Sequence, residues 1–374
     1  MIKREIEALI LSKFFKGKTI ILLGARQVGK SSLLKQIEAS INQKVIWLNA
    51  DNPEVRIILN QLNGNRAKEI FPKGSIIFID EAQRLENSGL TLKIIHDNCE
   101  EFQMIATGSS SFELSDKIKE AMTGRKWSYS LFPISYNELY NHSGAFETFR
   151  NLETRLIYGS YPEVINHPGN EKEILHELMT DYLYKDIFML KDVRKPDAIE
   201  NLLKALAFQV GNQVSYRELS QLVGIDKETI EKYIYLLEEA FIIFRLGSFS
   251  RNLRNELKHS RKIYFVDNGI RNALINRFSP TDLRDDTGAL WENYLISERR
   301  KKNEYTRSYK NTYFWRTTFQ QEIDYIEESD GKINAFEFKW GEKPRFKVPA
   351  PFTTTYPEAE VTLITRENYT SFLM

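Results

Sequence analysis

The chain reads as an α/β protein: a parallel-sheet core, then a helical segment, a winged helix-turn-helix and a smaller C-terminal α/β module. Three observations predict this. Up to about residue 130, short apolar runs at 19–24, 45–49, 75–80, 103–107 and 127–132 alternate with helical stretches, as in a parallel sheet covered on both faces. Residues 206–278 hold two short capped helices and a β-rich tail. From about 280 one helix is followed by strands. The expected units are 1–133, 134–205, 206–278 and 279–374.

A length of 374 residues suits two to three domains, at roughly 150 residues each. The 52 Lys and Arg against 51 Asp and Glu leave a net charge of +1, which excludes a uniformly basic nucleic-acid coat or an acidic solvating chain but leaves local patches open. An apolar share of 42% with 28% charged residues fits a soluble globular chain. Cys99 is the one cysteine, so neither a disulfide nor a cysteine-based zinc site can form within the chain. No apolar run nears the ~20 residues that span a bilayer. Ile2, Ile6, Leu9 and Ile10 recur at helical spacing and do not form a signal-peptide core. A cytoplasmic protein with no membrane partner is expected.

The first apolar run leads into Gly24-Ala25-Arg26-Gln27-Val28-Gly29-Lys30-Ser31, followed by Ser32 and a helical stretch. This is G-x-x-x-x-G-K-[ST] between a strand and a helix, the pattern of a phosphate-binding loop. Gly24 and Gly29 permit torsions that turn successive backbone N–H groups toward one anion. The helix N-terminus adds its dipole. Lys30 supplies an ammonium for the β- and γ-phosphates of ATP, and the Ser31 hydroxyl a ligand for Mg²⁺.

About fifty residues later, the run at 75–80 ends in Asp80-Glu81. Ligands bind at the C-terminal ends of strands in open parallel sheets, so both carboxylates fall where chemistry is expected. Asp80 would hold Mg²⁺ through water, and Glu81 would polarise the attacking water. The run at 103–107 is followed by Gly108-Ser109-Ser110-Ser111; Thr107 or Ser109 reports on the γ-phosphate, or the loop simply caps a helix. Arg125, after Gly124, is either an arginine finger acting across a subunit contact or a structural arginine.

In this order, the loop Gly24 to Ser31, the Asp80-Glu81-Ala82-Gln83-Arg84 run, the Thr107 loop and the Gly124-Arg125 step resemble AAA+-type ATPases of bacteria and archaea. The Gly159-Ser160-Tyr161-Pro162-Glu163 turn is similar to a G-G-x-P-E step in the lid of one widespread group, with Ser160 where Gly is common. Ser31 likewise stands where Thr is common. The resemblance implies an AAA+ core over 1–133, a helical lid over 134–205, and ATP with Mg²⁺ as cofactors.

Ser215 to Glu218 reads as a capping box, with Val214 and Leu219 as its hydrophobic staple. After Gly224, Asp226 is an N-cap, with Ile225 and Ile230 as a second staple. Ile230, Tyr233, Ile234 and Leu237 fall on one helical face and should be buried. The pair suggests a helix-turn-helix with a wing in the β-rich tail, able to enter a DNA groove. Yet its second helix offers Lys227 and Lys232 against Glu228, Glu231, Glu238 and Glu239, and carboxylates repel phosphate. Packing on a partner is the alternative. Basic charge follows: Arg245, Arg251, Arg254, Lys258, Arg261 and Lys262 against Glu256, then seven Lys or Arg between Glu298 and Arg316, interleaved with Tyr305, Tyr309 and Tyr313. Such stretches suit DNA-backbone neutralisation and base stacking, or are solvated faces.

In the last segment, Glu292 lies on the expected helix, Glu322 and Asp324 share one face of a strand, and Glu337 and Lys339 share one face of the next. Three carboxylates converging from these elements suit Mg²⁺ or Mn²⁺, which prefer oxygen ligands. Such an ion lowers the pKa of bound water and steadies in-line phosphodiester displacement. Glu292, Asp324 and Glu337-Phe338-Lys339 resemble the PD-(D/E)XK nuclease superfamily, with Ile323 where its name has Pro. The resemblance implies Glu292, Asp324 and Glu337 as ligands of a second Mg²⁺ or Mn²⁺; Lys339 is placed to orient the nucleophile or to neutralise charge. The competing reading is a strand pair with charged edges that discourage aggregation.

His96, His142, His167, His176 and His259 show no metal spacing and Cys99 no paired histidine, so none is expected in chemistry. The function expected is an ATP-hydrolysing protein with Lys30, Glu81 and Arg125 catalytic at one site and Glu292, Asp324, Glu337 and Lys339 at another, acting on DNA. The alternative is an ATP-gated switch or scaffold without cleavage. A plain transcription regulator fits the neutral charge and the acidic helix least. Arg125 makes a homo-oligomer plausible.

Overall fold

The computed structural model describes residues 1–109, 120–182, 195–250, 261–342 and 344–374. The chain divides into two units, Met1–Ile134 with Glu239–Phe241, and Ser135–Glu238 with Ile242–Met374. Ser110, Ser111, Arg251, Arg254, Glu256, Lys258 and His259 lie outside the described residues.

The first unit is a five-stranded sheet of β1 (Thr19–Gly24), β2 (Val45–Asn49), β3 (Ile76–Asp80), β4 (Gln103–Gly108) and β5 (Lys126–Leu131). The order is β2-β3-β4-β1-β5, with every pair parallel. All five expected apolar runs thus become strands, and β3 and β4 are buried along their whole length. Ile77, Ile79, Met104 and Ala106 pack against Leu92 and Ile95 of the Ser88–Asn98 helix. Removing each large apolar side chain from water contributes about 1.5–3 kcal/mol.

The order places β4 beside β1 and β3, so the C-terminal ends of these three strands bring Gly24, Asp80 and Thr107 to one edge. The Lys30–Ser40 helix leaves β1 through Gly29, whose φ of 94° is left-handed and favours glycine. Gly24 has another reason to be glycine. Its φ is not positive, but a Cβ there would collide with the Leu131 carbonyl of β5. The expected torsional freedom is therefore needed at Gly29, while Gly24 serves close strand approach.

The second unit holds a seven-stranded mixed sheet in the order β12-β11-β10-β9-β7-β8-β6. Its strands are β6 (Gln213–Val214), β7 (Ile243–Ser248), β8 (Arg261–Phe265), β9 (Asn311–Arg316), β10 (Glu322–Ser329), β11 (Lys332–Phe338) and β12 (Glu360–Ile364). Strands β6, β8 and β7 pair antiparallel, and β7 joins the C-terminal strands through a short parallel pairing with β9, Gly247 opposite Tyr313. The strands on both sides of residue 279 therefore lie in one sheet.

Between β6 and β7 run the helices Tyr216–Val223 and Lys227–Glu239, joined through Gly224 with φ 76°. Ser215 accepts from Glu218 N and Asp226 from Thr229 N, and Ile230, Tyr233, Ile234 and Leu237 are buried. The Thr287–Tyr305 helix carries fully buried Trp291. Among the described residues, no helix is long and apolar enough to cross a membrane.

A buried polar clamp organises this unit. Asp267 caps the Asn268–Leu274 helix through Gly269 N at 2.8 Å and also accepts from Ser160 N at 2.7 Å. Asn268 and Asn272 donate to the carbonyls of Leu156 and Ile157. The Gly159-Ser160 step is thus a docking point: Gly159 has φ 69°, and Asp267 occupies the space a Cβ would need.

Candidate functional site

In the first unit, the residues expected to meet phosphate and Mg²⁺ lie together. Lys30 is buried and donates to the carbonyls of Gly24 at 2.9 Å and Ala25 at 2.8 Å. Ser31 Oγ donates to Asp80 Oδ2 at 2.6 Å. Thr107 Oγ1 donates to the other oxygen of Asp80 and accepts from Glu81 N at 3.2 Å. Glu81 itself has φ 54°, uncommon for a residue with a side chain and of a kind that clusters at active sites. Gln83 Nε2 reaches both the Glu81 carboxylate and Ser109 Oγ, the latter at 3.0 Å.

The loop fits a nucleotide phosphate. Gln27 and Gly29 have φ of 57° and 94°, and alternating left- and right-handed backbone turns N–H groups into an anion-binding concavity. The Ser31–Asp80 pair is an oxygen set suited to Mg²⁺. Around it, Ala25 and Val28 are buried, Arg26 and Gly29 half-buried, and Gln27 and Ser32 exposed. Arg4, missed in the sequence, donates to Val28 O at 2.7 Å and Phe132 O at 2.6 Å, bracing the loop from inside. An arginine between Ile2 and Ile6 of an apolar helical pattern was the available signal.

Arg125 stands apart from this group in contact terms. Its Nε donates to Asp97 Oδ1 of the same chain at 2.7 Å, and this bond holds the Asp97 carboxyl below its ordinary range. Cys99 is half-buried and burial pushes its thiol up, away from a reactive thiolate.

In the second unit, Glu292, Glu322 and Asp324 place carboxylate oxygens within 4.8 Å of one another. Glu337 on β11 pairs with Lys339 at 2.7 Å. Asp324 Oδ2 accepts from Phe338 N at 2.8 Å, tying β10 to the strand that carries Glu337. Burial, then the like charges of Glu292 and Glu337, push the Asp324 carboxyl well above its ordinary value. Burial also raises Glu337, against the pull of Lys339.

Two residues that sequence reasoning left out of this cluster sit inside it. Lys262 of β8 is 1% exposed. It donates to Glu292 Oε1 at 2.9 Å and pairs with Glu322. Burial alone would lower its pKa, but the charges of Glu292, Glu322 and Asp324 raise it. Tyr264, two residues along the same strand face, donates to Glu292 Oε1 at 2.6 Å. Arg316 pairs with Glu322 at 3.3 Å. The signal was the alternation Lys262-Ile263-Tyr264, which sets a lysine and a tyrosine on one face of a buried strand.

The basic stretches need correction for the same reason. Lys262 neutralises carboxylates inside the unit. Arg245 pairs with Glu238 at 2.5 Å, Arg299 and Lys310 with Glu327 at 2.6 and 2.8 Å, Lys301 with Glu298 at 2.6 Å, and Arg307 with Glu304 at 3.2 Å. Tyr305 is buried, and Tyr313 packs on Phe249 with ring centroids 5.3 Å apart. Among the described residues these charges serve largely as internal counter-ions: Glu298, Glu304 and Glu238 lie within one or two helical turns of their partners in sequence, whereas Glu327, Glu292 and Glu322 are brought up from afar by folding.

Residues 16–140 match the AAA domain family. Residues 149–281 and 287–371 match two domains of unknown function, DUF8612 and DUF4143. The first unit therefore carries a P-loop AAA-type domain, a class that binds ATP with Mg²⁺.

An uncharacterized protein of Methanocaldococcus jannaschii is 26% identical over 81% of this chain and 70% of its own length. One of Haemophilus influenzae is 24% identical over 69% of each. A solved Signal Transduction ATPase with Numerous Domains (STAND) protein from Pyrococcus horikoshii, with a tetratricopeptide repeat sensor, aligns with TM-score 0.33 and 12% identity over 82% of this chain. The alignment spans 48% of that structure.

Proposed function

We propose that the chain hydrolyses ATP at Lys30, Ser31, Asp80 and Glu81 and acts on DNA as a metal-dependent nuclease through Glu292, Asp324, Glu337 and Lys339. In this reading 1–133 is the AAA+ nucleotide core, 134–205 its lid, 206–278 a winged helix-turn-helix and 279–374 a PD-(D/E)XK-like module of a cytoplasmic protein. The observation that carries the DNA half is the convergence of Glu292, Glu322 and Asp324 within 4.8 Å.

At the first site, Lys30 would leave the loop carbonyls for the β- and γ-phosphates, and Ser31 and Asp80 would hold Mg²⁺. Thr107 and Gln83 orient Asp80 and Glu81, so that Glu81 can accept a proton from the attacking water. At the second, a divalent ion would supply an acidified water and a counter-charge to the scissile phosphate. Asp324 and Glu337 would hold that ion, and Lys339 would orient the nucleophile. A cavity of about 510 Å³ lined by Gln213, Ser248, Phe249, Trp315, Arg316 and Tyr356 shares Arg316 with the cluster and offers polar and aromatic groups to a nucleotide.

The test offers single-stranded, duplex and branched DNA to the parent and to Asp324→Ala, with Mg²⁺ or Mn²⁺, with and without ATP. Scission by the parent alone supports the nuclease. Unchanged ATP turnover in Lys30→Ala sinks the ATPase assignment. The second reading, an ATP-gated switch that binds protein or DNA without cutting, is favoured by the exposed Glu228 and Glu231 on the Lys227–Glu239 helix and by the lysines within the carboxylate cluster. DNA-stimulated ATP turnover without scission in any divalent ion selects it.

A further inference from the structure

We propose that Lys262 is a tethered second cation of the carboxylate cluster, so that the site takes one divalent metal ion and not two. This deepens the nuclease reading and rests on its metal site.

The geometry points to an ion place and a lysine place side by side. Glu292 Oε1 is committed to Lys262 at 2.9 Å and to Tyr264 at 2.6 Å. Glu322 is committed to Lys262 and to Arg316. This half of the cluster is filled by an ammonium group that is 1% exposed and held in a sheet strand.

The other half is different. Glu337 is 6% exposed, yet its Oε2 is buried without a hydrogen-bond partner. A buried carboxylate oxygen left unpaired is costly, and more so when charged. Glu337 Oε1 holds Lys339 at 2.7 Å, and Asp324 keeps one oxygen beyond the one bonded to Phe338 N. Glu337 Oε2, this Asp324 oxygen and Glu292 Oε2, which takes no bond from Lys262 or Tyr264, are the oxygens open to a hard cation.

Charge counting gives the same answer. With all four carboxylates ionised, as ligation of a metal ion requires, Glu292, Glu322, Asp324 and Glu337 stand against Lys262, Lys339 and Arg316, so one negative charge is left over before the ion is counted. One divalent ion brings the cluster to a single positive charge, which one phosphodiester neutralises. Two would leave three positive charges in a largely buried place, a costly excess. Lys262 thus does the counter-charge work of a second ion, without exchanging with solution.

The test is Mn²⁺ binding to the nucleotide-free full chain, read by the electron paramagnetic resonance of free Mn²⁺. Sites are counted as those lost in Asp324→Asn, which separates them from any ion at the phosphate loop. The parent should bind one such ion. Lys262→Ser, which vacates the ammonium's place and removes its charge, should bind two, and Lys262→Arg one.

Two Asp324-dependent ions on the parent would overturn the inference and leave the nuclease reading standing. None would overturn both. One ion on both the parent and folded Lys262→Ser would show that the lysine holds no cation place. If Lys262→Ser fails to fold, the parent's count still decides between one ion and two.

Discussion

Ser31 Oγ donates to Asp80 Oδ2 at 2.6 Å, so the two oxygens expected to share Mg²⁺ are bonded to each other between the start of the Lys30–Ser40 helix and the end of β3. An ion held by both residues would replace this bond. Ser31→Ala should raise the Mg²⁺ concentration for half-maximal ATP turnover about tenfold, the equivalent of ~1.4 kcal/mol. Asp80→Asn should lower turnover further while ATP binding persists. Turnover measured against Mg²⁺, with nucleotide binding measured separately, checks both.

Arg4 joins the phosphate loop to the end of β5 through Val28 O and Phe132 O. Hydrogen bonds from charged groups contribute about 1.5–3 kcal/mol each. Arg4→Met should therefore destabilise the first unit by about 3 kcal/mol and weaken ATP binding, although Arg4 lies outside the phosphate-loop motif. Denaturant unfolding with and without ATP reads both effects.

Gly159 and Gly124 both have positive φ, 69° and 77°, but different surroundings. A Cβ at Gly159 would collide with the Asp267 carboxylate, whereas one at Gly124 meets nothing within 4 Å. Gly124→Ala should cost about 1 kcal/mol from backbone strain alone. Gly159→Ala should cost more than about 4 kcal/mol, because it also breaks the Asp267 clamp. Paired thermal melts separate the two.

Glu327 predicts an acid limb in stability. Burial would raise its carboxyl, but hydrogen bonds from Arg299, Lys310 and Asn303 outweigh it and hold the pKa at about 2, from an ordinary 4.5. Between these values the unfolded chain binds the extra proton, so stability rises with pH. The contribution, about 3 kcal/mol, is complete above roughly pH 4.5 and lost as pH falls through about 2. Glu327→Gln should flatten this limb and lower stability at neutral pH, as read by denaturant melts from pH 2 to 7.

Arg125 donates to Asp97 within its own chain at 2.7 Å. If it acts as a finger in a homo-oligomer, it must leave Asp97 to do so. Asp97→Asn should then maintain or increase ATP turnover, while Arg125→Ala lowers it about a hundredfold or more. Gel filtration with a non-hydrolysable ATP analogue should show assembly. A chain that stays monomeric with full turnover in Arg125→Ala removes this role.

The nucleotide site was legible in sequence because its parts are local. A strand, a glycine loop with Lys30-Ser31 and a helix are contiguous, and an apolar run ending in Asp80-Glu81 is a second local signal. Parallel strands carry their C-terminal residues to one edge, so two short motifs sufficed to bring Ser31 and Asp80 together. The helix ends at Ser215, Gly224 and Asp226 were legible for the same reason, since capping acts within one turn.

What the sequence could not supply was pairing between distant elements. Lys262 was one basic residue among six until β8 set it against Glu292 and Glu322, thirty and sixty residues away in sequence. Gly24 looked like a loop glycine until β5 closed over it. By itself the sequence determined the phosphate loop, its acidic partner strand and the helix termini, through contacts spanning a few residues. The tertiary structure decided which charges are spent on internal partners and which remain for a ligand. Electrostatic pairing depends on distance in space, and only the folded sheets bring these groups within a few ångströms.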